Sequence, residues 1–188
     1  MSPLTKPRVV CLGNPRFIKE DDLARFKESY DFSVLEAKNY QETREKLPED
    51  IKINGPIDAF MIRMGTHPYE PFDEGMFEMM LPACRVVVSA SAGYNEFPVQ
   101  WLADRGVYFC NTIDAVAEAT ADMAMILTLA VLRNTTNAER SARSGTWRHP
   151  DGLVPARDPS GLTLGILGMG NVGKVHVYPV YAATIEPY

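Results

Sequence analysis

The chain is short of cysteine, of histidine and of positive charge, and each shortage closes off a class of function. Its three cysteines are Cys11, Cys84 and Cys110. The odd count and the lack of any CxxC pair argue against a disulfide framework or a thiolate metal centre. Each lies in or beside an apolar, strand-like run, which predicts buried, reduced thiols. The three histidines, His67, His149 and His176, are scattered, and no metal is expected. Lys and Arg number 19 against 24 Asp and Glu, a net charge of −5. No basic patch offers itself to nucleic acid or to an anionic membrane. The N-terminal MSPLTKPRVV holds no apolar core of signal-peptide length. No apolar run approaches the roughly 20 residues that span a bilayer. The most apolar stretch, Met123–Leu132, ends in Arg133 and Asn134 and is expected to be a buried helix. A soluble, cytoplasmic protein is the resulting expectation.

What the chain does have is a 46% apolar fraction and a regular alternation of two periods. Arg8–Gly13 is a β-rich run ended by Gly13-Asn14-Pro15. Asp21–Tyr30 carries Leu23, Phe26 and Tyr30 at helical spacing, with Asp21 as a cap. Phe32–Glu36 reads as a strand, and Tyr40–Leu47 as a polar helix stopped by Pro48. Ala59–Met64 is a strand. Glu74–Leu81 is a helix stopped by Pro82. Cys84–Ser89 is a β-branched strand of the fully buried type. Phe97–Arg105 is a helix with Pro98 in its first turn and Gly106 beyond its end. Val107–Cys110 is another strand. Strands alternating with helices of this length predict βαβ crossovers and a parallel sheet. Past Asn111 the character changes. Val116–Ala142 is one long helical stretch, capped by Asp114. A Gly/Pro/Arg/Asp loop leads from it into the apolar strand Leu164–Leu167.

That strand opens Gly168-Met169-Gly170-Asn171-Val172-Gly173, the spacing that cradles a dinucleotide pyrophosphate. Gly168 permits the tight turn, Gly170 lets backbone approach the phosphates, and Gly173 lets the helix pack closely. The N–H groups of the first helical turn then face the anion. The bare pattern is weakly specific. Gly168 to Lys174 also fits the start of a P-loop, but Val175 stands where that motif needs Ser or Thr for Mg²⁺. Methyltransferases use similar turns, placed earlier in their fold.

Several further segments fall in a fixed order: VVVSASAGYN (86–95), Arg105-Gly106-Val107, Asn111-Thr112, EATADMAM (118–125), Leu132-Arg133-Asn134, Arg143-Ser144-Gly145-Thr146-Trp147 and GILGMGNVGK (165–174). Together they resemble the D-isomer-specific 2-hydroxyacid dehydrogenases, nearest the glyoxylate/hydroxypyruvate reductase and D-mandelate dehydrogenase-like branch. The resemblance spans about Arg8 to Lys174. It implies an α/β fold: a flavodoxin-like parallel-sheet substrate domain followed by the first helix and strand of an incomplete Rossmann domain. The implied domains are residues 1–113 for substrate and 114–174 for the start of the NAD(P)-binding domain, with 175–188 as an out-of-family tail. By resemblance, backbone N–H groups at Ala92 and Gly93 hold the substrate carboxylate. Thr120 lies near the nicotinamide, and Gly168, Gly170, Asn171, Val172 and Gly173 hold the pyrophosphate of NAD or NADP. Family members are homodimers acting on small 2-hydroxy or 2-keto acids.

His67 and Tyr69 follow the third strand at the same edge and could line the substrate entrance, though loop placement explains both better. Trp101 and Trp147 read as packing anchors. The family's histidine, its orienting carboxylate and its substrate-binding arginine all lie past the glycine turn and have no counterpart here, so no catalytic residue carries over. The tail departs from the amphipathic helix that should follow. Pro179 interrupts it, and Val and Tyr are weak helix formers. A retained intron or a frameshift after Lys174 would produce such a tail. On this reading the chain is a truncated oxidoreductase, inactive alone, and Leu164–Leu167 exposes apolar surface for want of neighbours. The alternative is a non-catalytic fragment that dimerises with, and regulates, a complete enzyme.

Overall fold

The computed structural model describes residues 6–146 and 156–175. Trp147, His149 and the tail from His176 lie outside the described residues. The chain divides into two compact units, Met1–Ile113 and Asp114–Tyr188.

The first unit is a five-stranded parallel sheet in the order β2-β1-β3-β4-β5. Its strands are β1 (Arg8–Leu12), β2 (Asp31–Leu35), β3 (Ala59–Ile62), β4 (Val86–Ser89) and β5 (Tyr108–Cys110). The connecting helices are α1 (Glu20–Ser29), α2 (Tyr40–Asn54), α3 (Glu74–Glu78) and α4 (Val99–Asp104). This is the flavodoxin-like order, whose ligand crevice lies outside the C-terminal ends of the strands.

The two faces of the sheet are unequal. Strand alternation puts Val10, Leu12, Phe60, Ile62 and Val87 on one face, aligned by register. They are fully buried in one cluster with Leu47 of α2, Met76 and Phe77 of α3 and Leu102 of α4. On the other face Phe26 of α1 meets Phe32 of β2 edge-on at 5.7 Å. Further along that face Met61 and Val88 are only half-buried, and Tyr108 and Cys110 are exposed.

Arg8 ties the start of β1 to the end of α2. Its Nη2 lies 2.5 Å from Asp50 Oδ2, and its Nη1 donates to the Gly55 carbonyl at 2.8 Å. Its own N–H donates to Asp58 Oδ2 at 2.7 Å.

Several boundaries differ from expectation. Lys19, not Asp21, occupies the N-cap of α1, and Asp21 sits in the first turn, where its charge suits the helix's positive end. α2 does not stop at Pro48 but continues to Asn54. Leu47 is fully buried and Ile51 packs on the same core, so burial on both sides of the proline offsets its lost N–H bond. α3 ends at Glu78, giving way to turns before β4. Trp101 packs against the core, with the Arg105 guanidinium 3.8 Å over its ring. Cys11 and Cys84 are buried as expected, but Cys110 is exposed because β5 is an edge strand.

In the second unit the predicted long helix is two, α5 (Ala117–Arg133) and α6 (Thr135–Arg143). They are separated by Asn134 in the left-handed conformation, φ 50°, which Asn tolerates better than most residues. Asp114 belongs to a short 3₁₀ turn rather than capping α5.

Met123–Leu132 is not a buried helix. Ile126 and Leu127 are each 57% exposed and Val131 is 80% exposed. Nor does the expectation about spanning length hold. The helical stretch Asp114–Arg133 has 20 residues and is apolar enough to cross a membrane by length and composition.

Leu164–Leu167 forms no strand. It is irregular and exposed, and among the described residues no neighbour pairs with it. A strand's hydrogen bonds require a partner, so apolar composition alone does not make one.

Candidate functional site

The C-terminal edge of the sheet in the first unit carries the substrate candidates. After β4 the chain turns through residues 90–93. Its first N–H, that of Ala90, donates to the Ile62 carbonyl at 3.0 Å, continuing the ladder one step. The Ser91 N–H then turns back to Ser89 Oγ at 3.2 Å. From the strand beside it, Asn111 Nδ2 donates to the Ala92 carbonyl at 2.8 Å, and the Thr112 N–H donates to the Ser91 carbonyl at 3.1 Å.

These bonds anchor the carbonyl side of the turn. The N–H groups of Ala92 and Gly93 make no hydrogen bond among the described residues. Gly93 has open space where a side chain would begin. Two adjacent, unpaired donors on a pinned backbone suit a carboxylate, which accepts at both oxygens. Asn111 is the residue whose role sequence reasoning missed. Its signal was an Asn directly after a strand at the same edge as Gly93.

Of the two residues predicted at the entrance, Tyr69 is 2% exposed, and its hydroxyl accepts from Arg63 Nε at 2.9 Å. His67 points into solvent, its side chain 98% exposed and 3.9 Å from Glu70, too far for a hydrogen bond. Burial pushes the Cys11 thiol up to about 11, and nearby Arg63 offsets that only in part. The Cys84 thiol is raised by burial as well. Neither is a nucleophile at neutral pH.

The cofactor candidates all lie in the second unit. Gly168 adopts φ +97°, which disfavours any side chain. Residues 171–175 are helical, and the Lys174 N–H donates to the Gly170 carbonyl at 2.9 Å. A side-chain carbon at Gly173 would stand 2.4 Å from the Gly168 carbonyl oxygen, so only glycine fits. Gly170 has open space above it. The N–H groups of Asn171, Val172 and Gly173 donate to no carbonyl outside their helix among the described residues.

The turn's own geometry therefore fits a pyrophosphate: a positive-φ glycine, an obligatory glycine and a helical start with unpaired donors. Asn171 Nδ2 donates to Asp114 Oδ1 at 2.5 Å, which ties the turn to the segment leading into α5. Thr120 is exposed on α5, and its hydroxyl donates to the Val116 carbonyl at 2.7 Å, leaving the oxygen's acceptor capacity open. Among the described residues no group of three or more His, Cys, Asp or Glu converges as a metal site.

A parallel sheet in flavodoxin order, and a glycine turn with the spacing of a dinucleotide turn, make this an α/β protein with two candidate sites. The catalytic-domain model of the D-isomer-specific 2-hydroxyacid dehydrogenases matches residues 11–186, and the chain belongs to that family. The match runs past Lys174, where the motif-level resemblance ends. Among curated relatives, a dehydrogenase (efuE) of Hormonema carpetanum is 52% identical over 177 residues, 93% of this chain and 44% of its own length. A glyoxylate reductase of Pyrococcus furiosus is 31% identical over 175 residues, 90% of this chain and 48% of its own. Among solved structures, holo D-mandelate dehydrogenase of Rhodotorula graminis superposes with a TM-score of 0.84 at 26% identity. That superposition covers 96% of this chain and 54% of the other. The chain thus spans about half the length of the relatives it matches.

Proposed function

We propose that these residues form the carboxylate-holding and phosphate-turn half of an NAD(P)-dependent 2-hydroxyacid dehydrogenase, a reductase of small 2-keto acids such as glyoxylate or hydroxypyruvate. In this reading residues 1–113 are the substrate domain and 114–174 the start of the cofactor domain. The observation that carries it is the close approach at Gly173, which has no purpose in an ordinary loop and is required of a dinucleotide turn. Ala92 and Gly93 would hold the substrate carboxylate. Gly168, Gly170, Asn171, Val172 and Gly173 would hold the pyrophosphate, with Thr120 toward the nicotinamide. A nicotinamide held there would supply the hydride.

The chain's own residues bind and orient, and chemistry needs more. Reduction turns a carbonyl into an alkoxide, so a proton donor and a fixed cation must face the carbonyl oxygen. The one histidine among the described residues, His67, is solvent-exposed on a loop. We therefore propose that these 188 residues alone do not turn over and bind dinucleotide weakly. Titrating the chain with NADH should show dissociation in the millimolar range, about −4 kcal/mol, abolished in Gly173→Ala. Glyoxylate with NADH or NADPH should show no turnover above buffer. Micromolar NADH affinity, or turnover, would overturn the respective half of the reading. Cytoplasmic residence belongs to the same proposal, supported by free thiols at Cys11, Cys84 and Cys110.

A second reading has its own observation. Met123, Ile126, Leu127 and Val131 form an exposed apolar stripe at helical spacing on α5. Such a stripe suits a dimer contact, whether between copies or with a complete homologue. Sedimentation of the chain, alone and mixed with a full-length relative, tests it. A monomer in both samples would end the dimer proposal.

A further inference from the structure

A cavity of about 280 Å³ opens at the C-terminal ends of β1, β2 and β3, entirely within the first unit. This is near the lower bound of small-ligand pockets, about 300 Å³. It lies where the strand order reverses between β1 and β3, the position at which open α/β sheets take ligands. The turn after β4 that carries Ala92 and Gly93 is a different part of the edge.

The charges around this cavity do not balance. Its lining holds Arg16, Lys38, Lys46 and Arg63 against Glu36 and Glu42. Lys46 and Glu42 satisfy one another, Nζ to Oε2 at 3.0 Å, and the Lys38 N–H also donates to Glu42 at 3.2 Å. That leaves Arg16, Lys38 and Arg63 facing the single carboxylate of Glu36. Among the described residues none of these four side chains forms an ion pair. Three unpaired cations and one anion in one concavity leave a surplus of two positive charges.

Arg63 is held in place as well as unpaired. Nε donates to the buried Tyr69 hydroxyl at 2.9 Å and Nη1 to the Met64 carbonyl at 3.1 Å, while Nη2 makes no hydrogen bond among the described residues. Room for this arrangement comes from Gly13, at φ +75°. A side-chain carbon there would stand 2.3 Å from the Tyr69 hydroxyl and 2.5 Å from Arg63 Nε. A solvated surface arginine needs no such clearance. A guanidinium fixed by two bonds, with its outer nitrogen unpaired, is pre-organised for an oxyanion.

We propose that this cavity binds a small doubly charged oxyanion, of the phosphate or dicarboxylate class, between Arg16, Lys38 and Arg63. The test is calorimetric titration of the full chain with inorganic phosphate, malonate and acetate. At least one dianion should bind saturably at millimolar or lower concentration, at least tenfold tighter than acetate, and weaken as salt rises. Phosphate alone binding indicates a phosphoester ligand, and malonate alone a dicarboxylate; either supports the site. The double substitution Arg16→Ala/Lys38→Ala, at exposed positions, should weaken binding at least tenfold. Glu36→Gln removes the opposing carboxylate and should tighten it severalfold. Arg25→Ala, a cation outside the cavity, should change nothing. The opposite responses expected of the double variant and of Glu36→Gln, all at exposed positions, separate this site from carboxylate binding at Ala92 and Gly93. The absence of saturable dianion binding up to about 10 mM would overturn the proposal. So would a double variant that binds as the Arg25→Ala protein does.

Discussion

The first unit and the second contain similar kinds of apolar residue and dispose of them in opposite ways. In the first, Phe60, Phe77, Leu12, Leu47 and Leu102 are enclosed between a paired sheet and three helices. In the second, Ala117 and Ala121 are the only buried residues among those described, while Ile126, Leu127, Val131 and Leu167 stand in solvent. The difference lies in partners rather than in composition. Each strand of the first unit has a parallel neighbour in register, which fixes which side chains turn inward. The one apolar run of the second unit that resembles a strand, Leu164–Leu167, has no such neighbour among the described residues. Hydrophobicity supplies the drive to bury, but a second surface decides whether burial happens.

The largest break of that contrast is Phe60→Ala. Emptying a fully enclosed site should cost about 4 kcal/mol in a urea melt of the first unit. A loss under about 1 kcal/mol would mean that the enclosure is not real. Next is Asp50→Ala, which strands the nearly buried Arg8 guanidinium without its carboxylate. It should cost about 3 kcal/mol in the same melt.

A smaller effect sits on Cys11. Its thiol titrates near 11 when folded against an ordinary 9.0, so the folded state favours the protonated form. Stability is then fully present below pH 9.0 and lost as pH rises toward 11. The loss is about 2–3 kcal/mol, and Cys11→Ala should flatten that limb of the pH–stability curve. The smallest effect belongs to Leu167→Ala. Full exposure there predicts a change within about 0.5 kcal/mol. A larger one would show that something covers Leu167 in solution.

The sheet was legible because its signals are local and agree. β-branched runs, intervening amphipathic segments and Gly106 after α4 all point the same way. Where the sequence misled, a non-local term won. Pro48 marks a helix end by a local rule, but α2 runs through it because Leu47 and Ile51 both pack on the core. Asn134 carries no strong breaking signal in an Ala-rich stretch, yet its left-handed backbone splits the helix there. Met123–Leu132 had the composition of a core helix and has no core to join among the described residues. The site was legible in part. The glycine spacing pointed to the turn, where Gly173 closely approaches the Gly168 carbonyl, but the strand expected to precede it is absent. Asn111 pinning Ala92, Arg63 held by Tyr69 and the clearance over Gly13 were not legible. The first and third join segments that follow different strands and meet only once the sheet order is known, while Arg63 reaches Tyr69 through the short 3₁₀ turn that follows β3.

Cys110 has a practical consequence. Two of the three thiols are enclosed and shifted away from reactivity, whereas this one stands exposed at the end of β5, two residues past the exposed Tyr108. A maleimide dye added near neutral pH would therefore attach at one address. The label would sit on the half-covered face of the sheet without entering the interior. Its emission would then report, in real time and at nanomolar protein, any polypeptide that settles over that face.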